Sequence, residues 1–238
     1  MPWAVDLHLH SCLSPCGDEL MTPNNLAKMA LLKGLDLIAV TDHNTASQLP
    51  AVEKVCAGLG LGLLPGMEIT TREEAHLLAY FPSVAQAVDF SRWLYPHLPP
   101  IPNRPDFFGP QWVMDQEDEI LREEPRLLLS AVDLSIDQLA HHIREAGGLA
   151  VPAHINRGGN GLLNVLGFLP PQAPFDALEI SRALPCPPDP GIPDYPHLHS
   201  SDAHRLEDIL ERQEFLPLDA PTPQAFFDYI RGWQKITG

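Results

Sequence analysis

Histidines and carboxylates recur where apolar stretches of this sequence end. Asp6-Leu7-His8-Leu9-His10 closes the run 4–9, Thr41-Asp42-His43-Asn44 follows 35–40, and Gly66-Met67-Glu68 lies in 61–69. His76 opens 76–81, His154 follows 149–153, and Ser201-Asp202-Ala203-His204 follows 198–201. In an extended chain, residues i and i+2 share a face. An HxH or DxH pair can therefore turn two donor atoms toward one metal ion. On a regular strand Asp6, His8 and His10 share one face, and Asp6 is expected to orient a histidine from behind the ligands. Asp42 and His43 point to opposite faces, so His43 is taken as the ligand and Asp42 as its support. The loop after His10 offers Asp18 as an oxygen ligand or Cys16 as a thiolate, with Asp18 preferred. His141 and His142 are adjacent on a helical stretch and read as surface. His97, His197 and His199 are left out of the site.

Anion contacts come from three arginines that follow these strand ends: Arg72, Arg157 and Arg182. A guanidinium there can grip phosphate oxygens in a fork. The competing reading is a surface salt bridge. Arg157 is favoured because Asn156-Arg157-Gly158-Gly159-Asn160-Gly161 lets backbone approach an anion closely.

The elements that position these residues alternate. Strands are expected at 4–9, 35–40, 61–69, 76–81, 149–153, 177–180 and 198–201. Helices are expected after Thr22-Pro23, over 49–57, from Ser83 to about 95, over 115–123 and 135–146, and from Thr222-Pro223. Thr-Pro is an N-cap followed by proline at the first helical position. The β-α-β order predicts a parallel sheet or barrel, whose strand ends would meet at one mouth. Prolines punctuate about 96–114, read as an ordered connection within a single domain spanning 1–238. A second Pro-rich stretch covers 185–196.

Composition narrows the function classes. The 238 residues carry 15 Lys and Arg against 31 Asp and Glu, a net charge of −16. That balance opposes bulk binding to duplex nucleic acid or anionic membrane, so no duplex nucleic acid and no membrane partner are expected. The start is not signal-like, no apolar run is long enough to span a bilayer, and the 4 cysteines are irregularly spaced. These features predict a cytoplasmic protein. Oligomeric state is not readable.

The motifs quoted above, together with Pro152-Ala153-His154, resemble those of the PHP (polymerase and histidinol phosphatase) superfamily of metal-dependent phosphoesterases. The resemblance runs from residue 6 to 204. It implies an α/β fold, a distorted TIM-like (β/α)7 barrel, and a hydrolase using two or three divalent ions; mixed imidazole and carboxylate ligands suit Zn, Mn or Fe. Carried over, His8, His10, Glu68 and Asp202 hold one ion. Glu68 bridges to a second ion held by His76 and His154, and Asp18, His43 and His204 hold a third. Such ions activate water as the nucleophile, with Asp202 or His204 relaying a proton to the leaving group. The favoured substrate is a small phosphomonoester such as histidinol phosphate, a nucleotide or a nucleoside bisphosphate. Alternatives are a 5′–3′ exonuclease on short RNA or DNA oligonucleotides and a non-catalytic metal-binding module.

Overall fold

A computed structural model describes residues 2–188 and 191–237; Asp189 and Pro190 of the second Pro-rich stretch lie outside it. The apolar run at the start forms β1 (Trp3–Leu9), followed by α1 (Pro23–Leu32) and β2 (Leu37–Val40). Thr22 caps α1 by accepting from the Asn25 amide, with Pro23 in the first turn as expected. Next come α2 (Leu49–Leu59), β3 (Gly62–Leu63), β4 (Gly66–Thr70), β5 (His76–Tyr80) and α3 (Val84–Leu94). The remainder comprises α4 (Pro105–Phe108), β6 (Trp112–Met114), β7 (Ile120–Glu123), α5 (Ile136–Glu145), β8 (Leu149–Pro152) and α6 (Leu162–Leu166), then β9 (Leu178–Glu179), β10 (His197–Leu198), β11 (Phe215–Leu216) and α7 (Pro223–Thr237).

The class is α/β, but the described strands form no closed barrel. They make one sheet in the order β11-β1-β2-β3, a second in the order β4-β5-β8, and two two-stranded sheets, β9-β10 and β6-β7. Single bridges join the larger pieces where the ligands lie, His43 to Glu68 and Leu9 to Ala203. The pairing is also not all parallel. β4 pairs antiparallel with β5, and β5 with β8. The reason is local: Thr71 donates to the Ala75 carbonyl at 2.9 Å, closing a hairpin between two stretches expected to lie in a parallel sheet or barrel. Consequently His76, at the start of β5, sits beside Thr70 at the end of β4.

Other boundaries moved for equally local reasons. Residues 115–123, expected as a helix, are the turn and second strand of the β6–β7 hairpin. Asp115 Oδ1 accepts from the amides of Glu117 and Glu119, both at 2.9 Å, a side-chain turn that competes with a helix. The 61–69 stretch divides into β3 and β4 around Leu64-Pro65. Along 96–114 the aromatics pack unevenly: Phe108 and Trp112 are half-buried, while Phe107 stays 72% exposed, with Arg104 over its ring at 5.0 Å.

Two apolar clusters flank the strands, and β1 changes sides between them. Val5 and Leu7 belong to one cluster, Ala4 and Leu9 to the other. The β1–β2 register shifts between Asp6 and Leu9, a bulge that moves the alternation by one residue. His8 and His10 therefore leave the face that Asp6 keeps.

Candidate metal centre

Glu68 is the hub. It is buried on β4, and its Oε1 lies 3.4 Å from His8 Nε2, 2.8 Å from His76 Nδ1 and 3.2 Å from His154 Nε2. Its Oε2 lies 3.3 Å from His10 Nε2 and 3.2 Å from His43 Nδ1. Asp202 Oδ1 meets His8 Nε2 at 3.3 Å and His10 Nε2 at 3.1 Å. His204 packs its ring 4.4 Å from that of His10. All but His8 and His10 line a cavity of about 350 Å³ together with Cys16, Leu129, Arg157 and Asn160. Three backbone positions nearby have positive φ without being glycine: Asn44 at 54°, His154 at 29° and Asp202 at 55°. Such strain concentrates at functional sites.

Buried hydrogen bonds fix how the imidazoles face. Glu179 accepts from His8 Nδ1 at 3.0 Å, which turns Nε2 toward Glu68 and Asp202. The same carboxylate accepts the His154 amide at 2.8 Å. Ser14 Oγ donates to Asp42 at 2.7 Å and so accepts from His10 Nδ1 at 3.1 Å. Asp42 thus supports His10 through Ser14, while it also binds the amide and hydroxyl of Ser11. Its link to His43 is indirect, through the His43 amide on Ser14 Oγ at 3.2 Å.

The structure departs from the sequence reading at several residues. Asp18, preferred as the loop ligand, is exposed and turns its Oδ1 to the Leu20 amide at 2.9 Å; Cys16 faces the cavity instead. Asp6 orients no histidine. The β1 bulge leaves it on the other face, where it binds the Ser201 amide and hydroxyl and the Leu210 amide. Arg72 is exposed beside Glu73, and Arg182 pairs with Glu214 at 2.9 Å, both away from the cavity. Arg157 does line it, ion-paired to Asp202. Gly161 makes that possible, because a Cβ there would collide with the Arg157 carbonyl. Glu179 was missed. Its one signal was a carboxylate set between Leu178 and Ile180 in an apolar strand.

Charges in the cluster are strongly coupled. Burial raises the Glu68 carboxyl, but His76, His8 and His43 outweigh it and hold Glu68 well below the carboxylate range. Burial likewise opposes ionisation of His10, yet Asp202 and Glu68 lift it to about 9. His43 goes the other way, lowered first by burial. His204 falls to about 4, by burial and then by the His10 charge.

This donor set fits divalent cations. Among the described residues, His8 Nε2, His43 Nδ1 and His76 Nδ1 are buried without a hydrogen-bond partner, although each lies near Glu68. Orphaned buried nitrogens are rare unless something absent satisfies them. Three groups of donor atoms converge within 4.8 Å: His8, His10, Glu68 and Asp202; His43, Glu68 and His76; and His10, Cys16, His43 and His204. The first is the set carried over by motif. In the second, His43 stands with Glu68 and His76 because a single bridge sets it beside Glu68, and His154 Nε2, expected there, also reaches Glu68 at 3.2 Å.

A family model described as the PHP domain matches residues 6–140, more than half of the chain. Over 73 residues the chain is 40% identical to the 5′-3′ exoribonuclease Rnm of Salmonella typhimurium, a match covering 30% of this chain and 24% of that protein. The fold is similar to that of endonuclease Q solved with a 27-mer duplex bearing an abasic lesion, with a TM-score of 0.72 and 23% identity over 98% of this chain and 57% of that one. It is also similar to a lesion-specific endonuclease from Pyrococcus furiosus, with a TM-score of 0.67 and 22% identity over 98% and 56% of the two chains. The chain thus spans just over half of these two structures, and its sequence match covers about a quarter of the exoribonuclease. These similarities overturn the expectation of a small phosphorylated substrate without duplex nucleic acid. Net charge misled there, because an average over the surface says nothing of the local field at a cavity.

Proposed function

The chain belongs to the PHP family, hydrolases that act on phosphate esters, and from that premise we propose that it is a 5′–3′ exonuclease on short RNA or DNA. The observation that carries this reading is the cavity itself. Its floor gathers the Glu68 cluster, its wall presents Arg157, and its volume of about 350 Å³ suits one nucleotide better than a length of helix. The 40% identity to an exoribonuclease supports the same choice over a monoester.

Two or three divalent ions (Zn, Mn or Fe) held by His8, His10, His43, Glu68, His76, His154, Asp202 and His204 would supply Lewis acidity and lower the pKa of bound water. The protein groups do the positioning. Arg157 grips a non-bridging oxygen of the scissile phosphate with the guanidinium face left over from Asp202. Glu179 and the Asp42–Ser14 pair hold His8 and His10 in the tautomers that keep Nε2 available. Water attacks phosphorus, the P–O3′ bond breaks, and the released nucleotide keeps the 3′ oxygen, which takes its proton from solvent in the open cavity. Asp202 is taken as a ligand rather than the proton donor, because its Oδ1 faces His8 and His10 among the metal donors and its Oδ2 is paired with Arg157. His204 commits Nδ1 to the Asp202 carbonyl at 2.8 Å. Residues 1–238 act as one domain, and we place the reaction in the cytoplasm. Among the described residues no helix is long and apolar enough to cross a membrane.

The test uses 5′-phosphorylated oligonucleotides labelled at the 3′ end, with the wild type and His8→Ala side by side. Stepwise shortening from the 5′ end with release of mononucleotides is expected, and loss of it in His8→Ala. Internal cuts appearing first, including at an abasic site in a duplex, would replace the exonuclease reading with an endonuclease. Release of inorganic phosphate alone would overturn it.

A further inference from the structure

We propose that Cys16 is a thiolate ligand of one ion of the centre, in the place where the sequence put Asp18. The inference rests on the divalent-metal reading above and adds a sulfur donor to it. Two tight turns aim the thiol. Ser14 donates its amide to the Ser11 carbonyl at 3.1 Å, and Gly17 donates to the Ser14 carbonyl at 2.8 Å. Gly17 is required there, since a Cβ would lie 2.5 Å from the Ser11 carbonyl oxygen. The Asp18 amide then bonds the His204 carbonyl at 2.8 Å, which pins the loop to the segment carrying His204. Asp18 itself ends up facing solvent.

The thiol arrives among donors that lack partners. Cys16, His43, His204 and His10 each bring a ligand atom within 4.8 Å of the others. His10 is already committed, with Nδ1 on Ser14 and Nε2 against Asp202 and Glu68. Cys16, His43 and His204 remain. His43, only 3% exposed, keeps its buried Nδ1 without a hydrogen-bond partner, 3.2 Å from Glu68 Oε2. It is the donor this group shares with the second, and we assign it to this group because His154 can complete the second with Glu68 and His76. One sulfur and two nitrogens with an open position describe a catalytic rather than a closed structural site. Cys16 is the most exposed of the three, and all three line the cavity. Binding replaces the S–H bond by a sulfur–metal bond and releases one proton to solvent. The soft donor shifts this site toward Zn or Fe(II) and away from Mg or Mn.

The experiment loads the full chain anaerobically with Co²⁺ alone and reads the near-ultraviolet thiolate-to-cobalt charge-transfer band. Wild type and Cys12→Ala should show the band, and Cys16→Ser should lose it together with one ion per chain by elemental analysis. Cys12, buried against Met114, is the internal control. Alkylation of the wild type, mapped by mass spectrometry, should mark Cys16 in chelator and spare it when Co²⁺ is bound, a readout that needs no variant. Equal ion counts, no band and no protection, with metal nonetheless bound, would overturn the proposal and leave the centre standing. A wild type that binds no ion would overturn both.

Discussion

Glu179 shows how much of a metal site lies one layer behind the ligands. Its carboxylate holds both His8 and the backbone of His154, so one charge orients two imidazoles from different strands. Glu179→Gln keeps the shape and removes the charge, and partners of this kind are worth about 10–100-fold in metal affinity. Chelator competition should show a loss of that order while circular dichroism stays native; unchanged affinity would strip Glu179 of this role. Arg157→Ala should raise KM for 5′-phosphorylated oligonucleotides about tenfold, the loss of roughly one charge-assisted hydrogen bond. An unaltered KM in steady-state kinetics would remove Arg157 from the substrate. At this scale the sequence was legible wherever a ligand type recurred at strand ends. It was not legible where two donors shared a loop. Cys16 and Asp18 differ only in how the turns at Ser14 and Gly17 aim them.

Asn44 ties three elements together just past β2. Its Nδ2 donates to the carbonyls of Leu128 and Ser130 at 2.7 and 2.9 Å, and its Oδ1 accepts the Thr70 amide at 3.1 Å. It does so at φ 54°, a conformation asparagine tolerates better than alanine. Asn44→Ala should cost about 3 kcal/mol, from three lost hydrogen bonds and the strain. The urea midpoint reads it directly, and a midpoint within error of the wild type would discount the knot. The element pattern explains which expectations held. Helix caps are local, so Ser83, Ser135 and Thr22 mark real starts. Strand direction is not local. The Thr71–Ala75 turn reverses the chain with five residues that carry no hairpin signature, and nothing in the apolar run of β5 records whether its neighbour is parallel.

The molecule as a whole carries −16, and the proposed substrate is also an anion. With Arg157 the one arginine at the cavity among the described residues, few phosphates are contacted. The salt dependence of KM should therefore be shallow, corresponding to about one or two phosphates, and oligonucleotide length beyond the first few residues should matter little. A steep slope would reveal a basic track beyond the cavity. Metal removal should lower Tm, because a cation that binds only the folded chain stabilises it in proportion to the logarithm of its concentration. Titrating Zn²⁺ or Mn²⁺ into chelator-stripped protein tests this, and a flat Tm would argue against a centre of this size. The bridge from Leu9 to Ala203 has a further consequence, in time rather than space. His8 and Asp202 are almost the whole chain apart in sequence, so the ion held by His8, His10, Glu68 and Asp202 has no complete ligand set in any early, local part of the fold, unlike the one beside His43, Glu68 and His76. Loops that long close slowly. During refolding, secondary structure should therefore return first, and capture of the ion that needs Asp202 should wait until the last third of the chain has docked on the first strand.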